Sequence, residues 1–299
     1  MTRHLLHVGF PKAGSTFLQR WFEAHPQLAY LEGGIAGFRD VYAVSRAAAG
    51  AVTPPPRYRV TSSETLVAPR SDAGTGVVVD FDRLRGVDVA ALQRRACAIL
   101  SELLPGAVVL IVTRGFRSMI LSSYSQYVRS GGDVDLTDLI ASSLGGSMQM
   151  DDAWHYDQVI AMYRQAFGSE NVVVMPYELL REDPARFTTW LAERLGIEPL
   201  SGSSSRVNES LSPAEMYWYP RFHRLVRTLR SRRLYERYVR LTFANRLKGP
   251  IAVLRKMRPR SVVTPAMIPD EVLEGFRGRA ESLREHPLFA AYLREYLLD

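Results

Sequence analysis

The chain has 299 residues, 46% of them hydrophobic and 23% charged, which suffices for a large buried core and matches an ordinary globular protein. A single cysteine, Cys97, excludes a disulfide framework and a cysteine-based metal site, and the longest clean apolar run, Ala107 to Val112, is far too short to span a bilayer. The net charge of +7 is local: residues 206–262 hold 15 Lys/Arg against 3 Glu, a balance of +12, so the remainder sits at −5 and any charge-based partner argument belongs to that segment.

In chain order, Leu5–Gly9 reads as a strand beginning almost at Met1, which leaves no room for a charged, apolar and cleavable leader and points to the cytoplasm. A helix carrying Phe17, Leu18, Trp21 and Phe22 follows and ends near His25-Pro26. Residues 31–56, rich in Gly, Ala and Pro, read as a connection. Tyr58–Ser63 is the second predicted strand, and the short apolar stretch Val77–Phe81 is a further candidate. A helix over Val89–Leu104 stops at Pro105-Gly106, and Cys97 falls on it as a small core hydrophobe. Ala107–Thr113 is continuously apolar and β-rich, as in a strand covered on both faces. Helices follow at Arg117–Val128 and Trp154–Phe167, then a strand at Val172–Pro176 and a helix over Pro184–Leu195, with Asp183 as N-cap and Gly196 beyond its end.

This alternation predicts an α/β fold, a P-loop-like, doubly wound parallel sheet flanked by helices. After the flexible run Gly202-Ser203-Ser204-Ser205 the chain becomes basic and helical. Phe222, Leu225, Val226 and Leu229 share one face there, and Arg221, Arg224, Arg227 and Arg230 another. The organisation reads as one domain over 1–299, with its core in 1–210 and 263–299 and a helical basic insertion over 211–262 near the C-terminus.

The chemistry starts at Pro11-Lys12-Ala13-Gly14-Ser15-Thr16, between the first strand and the first helix. A turn in that place aims backbone N–H groups and the positive helix end at one spot, which suits a phosphate; Lys12 adds a mobile cation, and Ser15 and Thr16 add hydroxyls. Against the nucleotide-triphosphate pattern G-x-x-x-x-G-K-[ST], Gly9, Gly14 and Thr16 fit, but Ser15 stands where lysine is required and the lysine sits before the glycine at position 12. A second stretch, Thr113-Arg114-Gly115 through Gln126, puts Arg114 at a strand's carboxyl end, where open α/β sheets bind ligands. Ser122 lies about two helical turns further on. Together they have the makings of a grip on a second phosphate.

Taken in order, these stretches resemble the sulfotransferases that use 3′-phosphoadenosine 5′-phosphosulfate (PAPS) and release 3′-phosphoadenosine 5′-phosphate (PAP). Lys12, Ala13, Gly14, Ser15 and Thr16 look like that family's loop for the 5′-phosphosulfate, and Arg114 and Ser122 have the identity and spacing of its 3′-phosphate site. Tyr124 and Gln126 are similar to the heparan-sulfate branch. The resemblance covers about residues 4–210, continuing through Asn171–Pro176, Tyr177-Glu178-Leu179 and Asp183-Pro184 to Leu195-Gly196. It implies that Phe17 stacks on adenine, although its spacing to Trp21 equally suits the core. It also implies that a basic loop, here Arg206 with Asn208, returns to the 3′-phosphate; Lys248-Gly249 is a looser match.

An alcohol acceptor loses a proton as sulfur is attacked, so a base is needed at a strand end beside the cradle. Glu64, in Thr61-Ser62-Ser63-Glu64-Thr65, fits, and its position resembles the catalytic glutamate of glycan sulfotransferases; the plain alternative is a helix-start carboxylate. His7 reads as buried structure. The implied reaction is in-line sulfuryl transfer from PAPS to a hydroxyl of a sugar, lipid or small natural product. Lys12 and the helix end meet the leaving-group charge, so the scheme needs no metal.

Two rivals stand beside it. An ATP-dependent P-loop kinase draws support from Val77-Val78-Val79-Asp80, which mimics a metal-binding strand end. A non-enzymatic module would meet a membrane or nucleic acid through its basic segment. Peripheral contact with the inner membrane face through 213–262 is the partner reading for that segment, with nucleic acid disfavoured. A solvated arginine face is its bland counterpart.

Overall fold

The structure, a computed structural model, describes residues 3–30, 56–64, 67, 88–142, 153–200, 211–228, 231–243 and 262–298. The expectations for 31–55, the Val77–Phe81 strand with its Asp80, the 202–205 loop, Arg206, Asn208 and Lys248-Gly249 fall outside those residues. The chain divides into two compact units, one of residues 1–115, 148–207 and 276–299, the other of 116–147 and 208–275.

Among the described residues the first unit is built on five parallel strands: β1 (Arg3–His7), β2 (Leu28–Tyr30), β3 (Tyr58–Ser62), β4 (Val108–Thr113) and β5 (Val172–Pro176). Their order is β2-β3-β1-β4-β5. Every residue of β4 and β5 is buried, which is why those segments read as unbroken apolar runs. The short β2 carries no alternation long enough to betray it in the sequence. Helices α1 (Ser15–Ala24) and α2 (Val89–Leu103) follow β1 and β3. Helix α5 (Tyr156–Phe167) precedes β5, and α6 (Tyr177–Glu182) and α7 (Pro184–Leu195) follow it; α11 (Leu293–Leu297) ends the chain.

The caps of α7 are those the sequence promises. Asp183 accepts a bond from the Arg186 N–H at 2.9 Å, Pro184 opens the helix, and Gly196 closes it at φ 64°. Cys97 is buried between α2 and α5, its thiol directed at the Met162 carbonyl, and burial pushes its pKa up to about 12, so it serves as core rather than nucleophile.

Topology places the ligand crevice. From β1 the chain adds β2 and β3 on one side, then crosses to add β4 and β5 on the other. The reversal falls between β1 and β4, and the crevice of such a sheet opens outside the carboxyl ends at that point.

The second unit holds α3 (Phe116–Arg129), α4 (Leu136–Ser142), α8 (Pro213–Thr228), α9 (Arg232–Phe243) and α10 (Asp270–Glu274). Helix α8 opens with a capping box. The Glu215 carboxylate accepts from both the Ser212 N–H and the Ser212 hydroxyl at 2.7 Å, and the Glu215 N–H is 3.3 Å from the Ser212 oxygen. Pro220, inside α8, has no N–H for the Met216 carbonyl one turn back; the Tyr124 hydroxyl from α3 approaches that oxygen at 3.5 Å.

The buried stripe of α8 differs from the predicted one. Met216, Tyr219, Pro220 and His223 face inward, while Leu225 is 61% exposed. His223 draws that side in, bonding the Gly132 carbonyl at 2.8 Å and packing edge-on to Tyr238. The arginine face is not simply solvated. Arg221 pairs with Asp135 at 3.0 Å and lies 3.6 Å over the Tyr217 ring, and Arg227 pairs with Asp133 at 2.6 Å. Among the described residues no helix is long and apolar enough to cross a membrane.

Candidate active site

Strands β3, β1 and β4 are neighbours, and their carboxyl ends carry the residues singled out in the sequence. Beyond β1 the backbone still follows β4, with Val8 N–H to Leu110 O at 3.1 Å and Phe10 N–H to Val112 O at 3.4 Å. It then turns sharply. Lys12 takes φ 67° and Gly14 φ 90°, two left-handed residues in three. For lysine this conformation is uncommon and costly, a kind of strain concentrated at ligand clamps. At position 14 only glycine fits without adjustment, because a Cβ would lie 2.4 Å from Leu180 Cδ2 on α6.

Gly14 is the N-cap of α1, no side chain caps that helix among the described residues, and its first turn holds no acidic residue. The end is therefore positive, with N–H groups that lie beyond the reach of intrahelical carbonyls. The Ser15 hydroxyl is buried and makes no hydrogen bond among the described residues. A buried, unpartnered hydroxyl at an uncapped helix start suits an anionic oxygen. Ala13 is buried, Lys12 and Thr16 are half-buried, and Phe17 is half-buried beside the fully buried Leu18.

Arg114, the first residue past β4, donates from Nη1 to the Lys12 carbonyl at 2.6 Å. Its guanidinium lies 4.4 Å from the centroid of the Tyr177 ring. Burial lowers its pKa, and the neighbouring Tyr177 and Glu178 oppose that shift. Such a group keeps its charge at any physiological pH. The arginine thus touches the Lys12 turn directly, a link that spacing alone does not reveal.

Glu64 is two residues past β3 and buried at 7% exposure. Its backbone is pinned to the end of β1, where Ser62 is in register with His7 and the Ser63 N–H donates to the His7 carbonyl at 3.0 Å. His7 is structural, as its sequence position suggests. It is 1% exposed, its Nδ1 is 2.7 Å from Ser62 Oγ, and burial lowers its pKa to about 3.

Ser122 belongs to the second unit, on α3, and its hydroxyl is likewise buried without a hydrogen bond among the described residues. Tyr124 reaches the carbonyls of Val134 and Met216, and Gln126 the hydroxyl of Ser130, all within the second unit. Among the described residues no three His, Cys, Asp or Glu side chains converge as a metal-ligand cluster.

Residue-by-residue reading of the sequence gave no role to Tyr177, Glu178 or Leu180. The rule that pointed to Arg114, a ligand crevice at strand carboxyl ends, applies equally to β5, and Tyr177 is the first residue past it.

No protein-family model matches the chain, and no curated protein matches its sequence. Solved structures do match. A sulfotransferase from Alicyclobacillus acidocaldarius aligns over 86% of this chain and 100% of its own, with a TM-score of 0.52 at 15% identity. The fold is that of a sulfotransferase. Mouse sulfotransferase SULT7A1 complexed with PAP also matches, over 74% of this chain and 63% of its own, with a TM-score of 0.40 and 15% identity. Within this sulfotransferase fold, the Lys12 turn, Glu64 and Arg114 all lie at the carboxyl edge of the central strands.

Proposed function

We propose that this protein is a PAPS-dependent O-sulfotransferase, moving a sulfuryl group to a hydroxyl of a sugar, lipid or small natural product. The observation that carries the reading is the Lys12–Thr16 turn: two left-handed residues and, among the described residues, an uncapped helix start and a buried unpartnered Ser15 hydroxyl, with Arg114 bonded to the turn's own carbonyl. These residues fit an anionic donor. In this reading the whole chain acts as one sulfotransferase domain, with core 1–210 and 263–299 and a basic helical insertion at 211–262.

PAPS supplies the activated sulfuryl group. The acceptor oxygen bonds to sulfur as the bond from sulfur to the 5′-phosphate oxygen breaks. Glu64 takes the acceptor proton, and its buried place just past β3, the strand paired with β1, suits a general base. Lys12 and the N–H groups of Gly14, Ser15 and Thr16 meet the charge that develops on the departing phosphate oxygen. Arg114 holds the 3′-phosphate, a role that the sequence resemblance gives also to Ser122 and Arg206, and Phe17 borders the adenine.

The reading is tested by comparing extracts incubated with PAPS and either wild-type protein or variants, scanning for products heavier by one sulfuryl group. Lys12→Ala and Glu64→Ala are each expected to lower turnover by about 100-fold or more with the fold retained. Near-wild-type turnover in Glu64→Ala would remove it as the base.

A further inference from the structure

Glu178 is a carboxylate with no exposed surface, on the first turn of α6. One oxygen accepts the Gly115 N–H at 3.0 Å, and the other accepts the Tyr296 hydroxyl at 2.6 Å. Tyr296, on α11, is itself buried and lies 3.3 Å from the Thr113 hydroxyl. Thr113 and Gly115 flank Arg114, so a single buried chain of bonds holds the backbone on both sides of that arginine.

The packing is equally close. A Cβ on Gly115 would stand 2.5 Å from Glu295 Cβ, so α11 sits directly against this backbone. Burying a carboxylate is expensive, and the cost is met only when its oxygens are well bonded, as they are here. Arg114 itself touches Lys12 and Tyr177, and Tyr177 is adjacent to Glu178 in the chain.

We propose that Glu178 and Tyr296 are positioning residues for Arg114, so that a helix at the far end of the chain sets the enzyme's preference for a nucleotide bearing a 3′-phosphate. Neither side chain need touch the nucleotide. They fix the direction in which the guanidinium points by fixing its backbone. The inference rests on the reading of Arg114 as a 3′-phosphate ligand.

The test measures binding of PAP and of adenosine 5′-phosphate, which lacks the 3′-phosphate, to the full chain and to Tyr296→Phe, Glu178→Gln and Arg114→Ala. Tyr296→Phe removes one hydroxyl, and Glu178→Gln keeps the shape while removing the charge. The ratio of the two affinities is the readout, because a merely structural defect weakens both ligands alike. Tyr296→Phe and Glu178→Gln are each expected to reduce the ratio about tenfold while adenosine 5′-phosphate binding changes little. Arg114→Ala is expected to abolish the preference. If Arg114→Ala abolishes it and the other two leave the ratio unchanged, the positioning role is overturned and the Arg114 reading stands. If Arg114→Ala keeps the preference for PAP, the Arg114 reading itself fails.

Discussion

At the scale of single residues, the site is held by groups whose chemistry and backbone state agree. Lys12 holds a left-handed conformation that is costly for lysine, and Gly14 one that glycine adopts freely. His7 shows the opposite case, a titratable group kept out of the chemistry. Its folded pKa is lowered to about 3 by burial, against 6.5 for the free side chain, so it is neutral in the folded chain while the unfolded chain protonates it. The stability linked to His7 is therefore complete above pH 6.5, declines as the pH falls, and levels off near pH 3. Between pH 6.5 and 5 the loss from this group amounts to about 2 kcal/mol. Urea unfolding followed across that range should show the midpoint falling toward acid, with a shallower slope in His7→Gln. An identical slope would mean that His7 is protonated in the folded protein.

At the scale of elements, local sequence rules and packing divide the work. Helix α7 was legible to the residue, because Asp183, Pro184 and Gly196 are independent signals of one boundary pair. Strands β4 and β5 were legible because burial on both faces leaves a continuous apolar run. Strand β2, with three residues, and α6, with six, were not, since neither is long enough to show a period. Helix α8 was found but misoriented. A hydrogen-bonded histidine is buried where an apolar scale expects leucine, and only the contacts of His223 with Gly132 and Tyr238 reveal it. The capping box of α8 gives a stability prediction. Glu215 is 4% exposed and satisfies two donors of Ser212, so Glu215→Ala is expected to destabilise its unit by about 1–2 kcal/mol. Thermal unfolding should show the loss, and an unchanged midpoint would mean that water replaces the carboxylate without cost.

At the scale of the whole molecule, the strand order decides where chemistry can occur. A reversal between β1 and β4 gathers three loops from distant parts of the sequence, at residues 9–16, 63–64 and 113–115, along one edge. The types and spacing of Lys12, Ser15, Glu64 and Arg114 were legible because each follows a recognisable strand. The bond from Arg114 to the Lys12 carbonyl and the brace from Tyr296 were not, because they join residues 102 and 183 positions apart with no periodic signature. The basic surplus of the 206–262 segment reads differently once folded. Asp133 and Asp135, outside that segment, pair with Arg227 and Arg221, so part of the charge is spent on holding α8 to the loop that follows α3.

The central claim is that the Lys12 turn holds a 3′-phosphorylated sulfate donor and not a nucleoside triphosphate. Calorimetry on the full chain, titrating PAP in one series and ATP with magnesium in the other, tests it most directly. The account predicts saturable one-to-one binding of PAP, weakened at least tenfold in Lys12→Ala, and little or no heat from ATP with magnesium. Tight binding of ATP with magnesium, together with none of PAP, would contradict it.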